Sequence, residues 1–182
     1  MVYILLAPGF EEMEAVVPGD LLRRAGIPAA YVSVGHQEVC GAHSIRLMAD
    51  LTIDQMDLTQ MDMVVLPGGK AGVEALSANS QVLDAVKFAA ENGKWIGAIC
   101  AAPAILAKLH ITDGKRVVCY PDSQWVSAME GATVDPVAPA VTDGRVITGA
   151  SAGCAVAFGL ALVTALRGQE LARSVAEGIV IR

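Results

Sequence analysis

Cys100 stands where an apolar run ends and a helical one begins, KWIGAIC (94–100) followed by AAPAILAKL (101–109). A thiol attacks carbon only as its thiolate, and an unperturbed cysteine ionises near pH ~8.5. No basic residue lies within five positions of Cys100, so activation must come from the backbone or from elsewhere in the chain. The small neighbours Ala98, Ala101 and Ala102 allow a tight, strained strand-to-helix turn. Such a turn lifts the nucleophile into a crevice and aims backbone N–H groups at it. A helix start favours negative charge, and thiols placed there ionise at about 3.5–7.5. Pro103 suits that first helical turn because it has no N–H to leave unpaired. The bland alternative is a small buried side chain in an apolar strand.

Glu14 is the second residue with chemical promise. It falls in the first turn of the first helix, past the end of the first strand, and can face the same crevice. A carboxyl beside a thiol can be held protonated, donate to the thiolate and shuttle protons. The alternative is that Glu11, Glu12 and Glu14 only complement the helix dipole. Gly68-Gly69 offers a free backbone N–H of the kind an oxyanion hole uses; the alternative is an ordinary turn. PGGKAG (67–72) lacks the spacing and hydroxyl of a Walker phosphate loop.

The elements that must carry these residues follow from pattern. VYILLA (2–7) is a short, continuously apolar run stopped by Pro8-Gly9, which predicts a buried strand. Glu11 to Arg24 reads as a helix with acids in its first turn, arginines in its last and Gly26 beyond; Pro18 inside it predicts a kink. AAYVSVG (29–35) is a second strand, and 38–53 is β-rich and less regular, with a hairpin as the expected form. MDMVVLPGG (61–69), KWIGAIC (94–100) and KRVVCY (115–120) are further strands. Helices are expected over 79–92, 101–109, 122–130, 152–166 and 170–177. Asp143-Gly144 between alternating runs predicts a hairpin over 137–149. Strands alternating with helices give a mostly parallel α/β sheet covered on both faces, with a late antiparallel hairpin. Sites in such sheets lie beyond the carboxyl ends of the strands, where PGFEEME, PGGKAG, CAAP and GASAGC emerge.

The whole chain of 182 residues reads as one domain, 1–182, without repeats or linkers. A formal net charge of −6 argues against a nucleic-acid groove. No apolar run reaches the length of a membrane span, and MVYILLAPGFEE lacks the charged start of a signal peptide, so a cytoplasmic location is expected. The four cysteines form no C-x-x-C pair and, with the three histidines, show no zinc-ligand spacing.

Together GFEEMEAVVPGDLLRRAG (9–26), MVVLPGGKAG (63–72), IGAICAAPAILA (96–107), VVCYPD (117–122) and VITGASAG (146–153) resemble, in order, the ThiJ/PfpI superfamily and its DJ-type branch. The resemblance covers essentially the whole chain. It implies a flavodoxin-like three-layer sandwich of the class I glutamine amidotransferase-like kind. It assigns Cys100 as nucleophile and oxidation-sensitive thiol, Glu14 as its protonated partner, and the N–H groups of Gly69 and Ala101 as oxyanion hole. It implies a homodimer contacting through the first helix, with Arg24 reaching toward the partner's site. The implied activities are glutathione-independent conversion of methylglyoxal to lactate, deglycation and protection against oxidative stress, without cofactor or metal. Non-catalytic redox sensing is the rival role.

Three positions depart from the family pattern. Tyr120 replaces a histidine, which lowers the case for a PfpI-type peptidase or amidotransferase-like hydrolase; His43 would be its only candidate base. His43 takes the place of a pocket arginine. The usual Arg-Gly-Pro-Gly-Thr reads Ala150-Ser151-Ala152-Gly153-Cys154, which removes a charge and adds a thiol. Cys154 is either a resolving thiol near the site or a buried helix residue.

Overall fold

The computed structural model describes residues 1–181. The first strand, β1 (Val2–Leu6), leads into α1 (Glu12–Arg24), β2 (Ala29–Ser33), the hairpin β3 (Glu38–Cys40) and β4 (Arg46–Met48), and a short β5 (Leu51–Thr52). Then come β6 (Met63–Leu66), α2 (Lys70–Ala78), α3 (Ser80–Glu91), β7 (Trp95–Ile99) and α4 (Pro103–Lys108). The chain continues through β8 (Arg116–Val117), α5 (Ser123–Ser127), β9 (Thr133–Val134), β10 (Ala140–Asp143), β11 (Val146–Gly149), α6 (Ala155–Arg167) and α7 (Gln169–Gly178). Seven strands form the central sheet in the order β10-β11-β7-β6-β1-β2-β5. All its neighbours are parallel except β10 and β11, the hairpin that Asp143-Gly144 predicts.

The continuous apolar strands are explained by their two faces. In β1, Tyr3 and Leu5 join one core under α2, α3 and α4, while Val2, Ile4 and Leu6 join the other under α1, α6 and α7. With both pleat faces buried, no polar alternation survives. Small residues let the layers close. A Cβ on Gly97 of β7 would meet Leu162 Cδ2 at 3.0 Å and Phe158 Cζ at 3.1 Å. Phe158 is fully buried there, worth about 1.5–3 kcal/mol relative to exposure. A Cβ on Gly159 would meet Leu21 Cδ1 at 2.6 Å and Pro18 Cα at 3.1 Å. Pro18 therefore sits at the crossing of α1 and α6, within a helix that runs as one element through it.

Several elements differ from the sequence expectation. KRVVCY contributes only Arg116–Val117, paired with β9 in a separate two-stranded sheet. Beyond it, Val118 N–H donates to Thr148 Oγ1 and Tyr120 N–H to the Cys100 carbonyl, so the segment is tied to the main sheet without joining its ladder. Helix α2 was not anticipated. It starts on Gly69, a cap with no side chain to offer, and contains Gly72, so both its start signal and its propensity are weak. Among the described residues no helix is long and apolar enough to cross a membrane.

Candidate active site

Three of the four strand-end segments meet at one point. Gly9 and Gly69 both have positive φ, +84° and +85°, and both are pressed against backbone or side chain. A Cβ on Gly69 would stand 2.3 Å from the Gly9 carbonyl oxygen and 2.7 Å from Glu11 N. Glu11 N–H donates to Gly68 O, and Gly72 N–H to Gly9 O. The Pro-Gly turns after β1 and β6 thus interlock through glycine backbone, and this fixes where α1 begins.

The three glutamates of that first turn then divide their work. Glu11 caps the helix: its Oε2 accepts the Glu14 N–H at 2.9 Å. Glu12 is buried and turns away toward the β3–β4 loop. Its Oε1 accepts the N–H groups of His43 and Ile45, and its Oε2 meets His43 Nδ1 at 2.9 Å. Glu14 is fully buried and faces Cys100. Its Oε2 accepts the Gly68 N–H at 2.8 Å. Its Oε1 is buried without a hydrogen-bond partner among the described residues, and the side chain that hydrogen-bonds the carboxyl is the Cys100 thiol.

Cys100 has φ of +66°, the left-handed region that a residue with a Cβ adopts at a cost. The strain is held by Cys100 N–H donating to Gly149 O and Cys100 O accepting from Tyr120 N. The tight, strained strand-to-helix turn expected at Cys100 is present. The helix after it, α4, has only six residues, so the donors nearest the sulfur matter more than any dipole. Those donors are the N–H groups of Ala101 and Gly69. A Cβ on Gly68 would touch both side chains at once, Glu14 Oε2 at 2.4 Å and Cys100 Sγ at 3.1 Å. In sequence, Gly68-Gly69 reads as a source of an oxyanion-hole N–H; in the structure the Gly68 N–H goes to Glu14 Oε2. The missing side chain of Gly68 is what lets the carboxyl and the thiol share one space.

Burial is the largest influence on both groups. It pushes Glu14 up to about 7; the thiol and the Gly68 N–H oppose the shift, while the Glu11 charge adds to it. Burial and then the Glu14 charge push Cys100 up to about 12, against the N–H groups of Ala101 and Gly69. The repulsion from Glu14 exists only while Glu14 is ionised. When the carboxyl takes the proton, the sulfur loses its main anionic neighbour and gains an O–H donor. The pair therefore holds one negative charge in two arrangements, carboxylate with thiol or carboxylic acid with thiolate.

The remaining expected residues fall as follows. Tyr120 is bonded to the Cys100 carbonyl through its backbone and is 44 % exposed. His43 is exposed, with its ring nitrogen against Glu12 and 4.0 Å from Glu11 Oε1. These three groups are the one set among the described residues close enough to hold a metal ion, within 4.8 Å of one another. They already satisfy each other by hydrogen bonding. Arg24 bonds Asp20 at 2.6 Å and lies ten residues along α1 from Glu14, about 15 Å of helix rise. It does not join the site of its own chain. Cys154 is partly exposed at the start of α6. It shares a cavity of about 320 Å³ with Cys119 and Ala150 rather than facing Glu14.

The family model described as the DJ-1/PfpI family matches residues 1–165. Protein dj-1beta of Drosophila melanogaster is 35% identical over 179 residues, 98% of this chain and 95% of that protein. A protein of Caenorhabditis elegans named glutathione-independent glyoxalase DJR-1.2 is 31% identical over 172 residues, 94% of this chain and 91% of its own. The crystal structure of Drosophila melanogaster DJ-1beta superposes with a TM-score of 0.93 at 34% identity, covering 100% of this chain and 97% of that one.

Proposed function

The chain belongs to the DJ-1/PfpI family, and we propose that it is a cysteine enzyme acting on 2-oxoaldehydes, converting methylglyoxal to lactate without glutathione. The observation that carries this reading is a fully buried carboxyl, raised to about 7, beside a strained thiol with two N–H donors. The glyoxalase name of the worm relative supports it.

In this mechanism the Cys100 thiolate adds to the aldehyde carbon, and Glu14 gives its proton to the new hemithioacetal oxygen. The Gly69 and Ala101 N–H groups stabilise the oxyanion as it forms. Glu14, now a carboxylate, removes the proton from that carbon to give an enediol and returns it to the neighbouring carbon. The product is a thioester of Cys100. Water cleaves the thioester, releasing the 2-hydroxy acid and the thiol. The sum is one aldehyde and one water to one hydroxy acid, with no external oxidant or reductant. A buried carboxyl near neutrality suits both halves, since it must both donate and accept.

The test measures methylglyoxal loss and lactate formation without glutathione, for wild type and Cys100→Ser together, with buffer and free-thiol controls. Catalytic lactate formation abolished in the variant is expected. Stoichiometric loss without lactate would discard the reading. Redox sensing is the second reading, because the same three groups could hold the added oxygens of a sulfinate. Selective oxidation of Cys100 by mild peroxide in a protein without aldehyde turnover would favour it.

The expected homodimer is part of the proposal. Met13 and Val16 on α1, with Ile45 and Met48 around the β3–β4 hairpin, are 41–60 % exposed apolar side chains available for such a contact. A monomeric sedimentation coefficient at micromolar concentration would remove it.

A further inference from the structure

At the opposite end of the sheet, cations precede two of its strands and the first strand of the small sheet beside it. Lys94 stands directly before β7, Lys115 before β8 and Arg145 before β11. All three line a cavity of about 460 Å³ whose apolar wall includes Ile96, Ile111 and Val146. That volume lies within the range of small-molecule sites.

The charges in this cavity are poorly met by the protein. Lys94 and Lys115 are half-buried. Among the described residues neither ammonium forms an ion pair; the pairs of the molecule are made by other cations. Among the described residues Arg145 has no carboxylate either; it is exposed, and its guanidinium lies over the Trp95 ring at 4.6 Å. A half-buried ammonium without a partner loses hydration and gains nothing in return. In a chain of net charge −6, two half-buried cations without an ion pair, with the exposed Arg145 lining the same cavity, run against the overall balance.

Two features oppose an anion. Glu91 also lines the cavity, and the carboxyl end of α3, with its partial negative charge, opens onto it. Lys94, three residues past the last residue of α3, offsets that helix end on its own. Helix-end compensation accounts for Lys94. It does not account for Lys115 and Arg145, which come from other elements. His110, also in the lining, is hydrogen-bonded to Asp113 at 3.1 Å.

We propose that this cavity binds a small phosphate monoester, the phosphate held by Lys94, Lys115 and Arg145 and the ester group resting on the apolar wall. The site is separate from Cys100 and independent of the 2-oxoaldehyde reading.

Calorimetric titration with phenyl phosphate and with inorganic phosphate, at low salt, tests it. Saturable one-to-one binding is expected, with phenyl phosphate at least threefold tighter because it alone uses the apolar wall. Lys94→Met and Lys115→Met keep the aliphatic stem and remove the charge. Each should weaken phenyl phosphate at least tenfold, while the melting temperature of the free protein stays the same or rises. Arg145→Gln, at an exposed position, supplies a third variant should either lysine variant fail to fold. Lys87→Met on the outer face of α3, and Cys100→Ser, should bind as wild type. Absence of saturable binding overturns the proposal. So does wild-type affinity in the cavity variants, or an equal loss in Lys87→Met, which would mean diffuse charge and no site.

Discussion

The two ends of β7 solve opposite problems. Lys94 precedes the strand and Cys100 follows it, about 20 Å apart at ~3.3 Å per residue. At the Cys100 end, glycines with positive φ are packed to contact, and a Cβ on Gly69 would lie 2.3 Å from the Gly9 oxygen. At the Lys94 end, Gly93 also has positive φ, +62°, yet nothing stands within 4 Å of where its Cβ would be. Gly93 closes a helix; Gly69 admits another chain segment. A positive φ alone therefore does not mark the chemical end of this sheet. The distinguishing property is the combination of left-handed backbone with close approach, and it extends to Cys100, which keeps its Cβ at φ of +66°.

Paired substitutions measure that difference. Gly93→Ala should cost only the conformational term, about 1–2 kcal/mol. Gly69→Ala adds overpacking against backbone that cannot rotate away, about 1–3 kcal/mol more, and separates Glu14 from Cys100 by displacing the start of α1. Urea unfolding of both variants checks the ranking, and aldehyde turnover should be lost only in Gly69→Ala. Equal stability losses would mean that the interlocked turns can relax.

Glu14→Gln is the next largest effect and acts on chemistry. Turnover should fall about 10²–10⁴-fold, the usual contribution of a positioned acid–base group. The thiol should nonetheless become more acidic, because the ionised carboxylate no longer opposes the thiolate. Alkylation of Cys100 by iodoacetamide across pH reports that shift. The same variant tests linkage. Glu14 is raised from 4.5 to about 7 in the folded chain, so the native state binds its proton more tightly than the unfolded state. Stability should be highest below pH 4.5 as far as this group is concerned and decline as pH rises toward 7, by an upper bound of about 3 kcal/mol. Glu14→Gln should flatten that decline. A slope unchanged by the substitution would assign the titration to another group.

How much of this was legible in the sequence depends on the range of the interaction. Strands β1, β6 and β7 are short apolar runs closed by Pro-Gly or by the elbow, and burial on both faces makes them readable. The elbow was readable because alanines flank Cys100. The nearness of Glu14 to Cys100 followed from both lying past strand ends. The role of Glu12 was not readable, because its partners are the backbone N–H groups of His43 and Ile45 more than thirty residues away. First-turn acids look alike in sequence, and only the fold separates a cap, a tether and a partner for a thiol. KRVVCY was over-read for the converse reason. Its residues are apolar because they cover a side cluster with Met129, and apolar runs do not say which sheet they join.

His43 supplies the smallest effect and sharpens the boundary of the site. It is the histidine that the hydrolase reading would need as its base, yet its ring is turned to Glu12. The hydrogen bond to Glu12 and then its charge raise the His43 pKa. Stabilisation from this pair is fully present below pH 6.5 and fades as pH rises through the raised value. His43→Ala should therefore lower the melting temperature slightly at pH 6 and not at pH 9. Glu12 keeps two backbone donors in the variant, so the β3–β4 loop should stay in place. The pH profile of aldehyde turnover should not change, because the proton that moves is shared by Glu14 and Cys100. A lost limb in that profile would bring His43 into the chemistry and reopen the hydrolase reading. An unchanged profile with a pH-dependent melting difference would make it a tether for the loop beside the site.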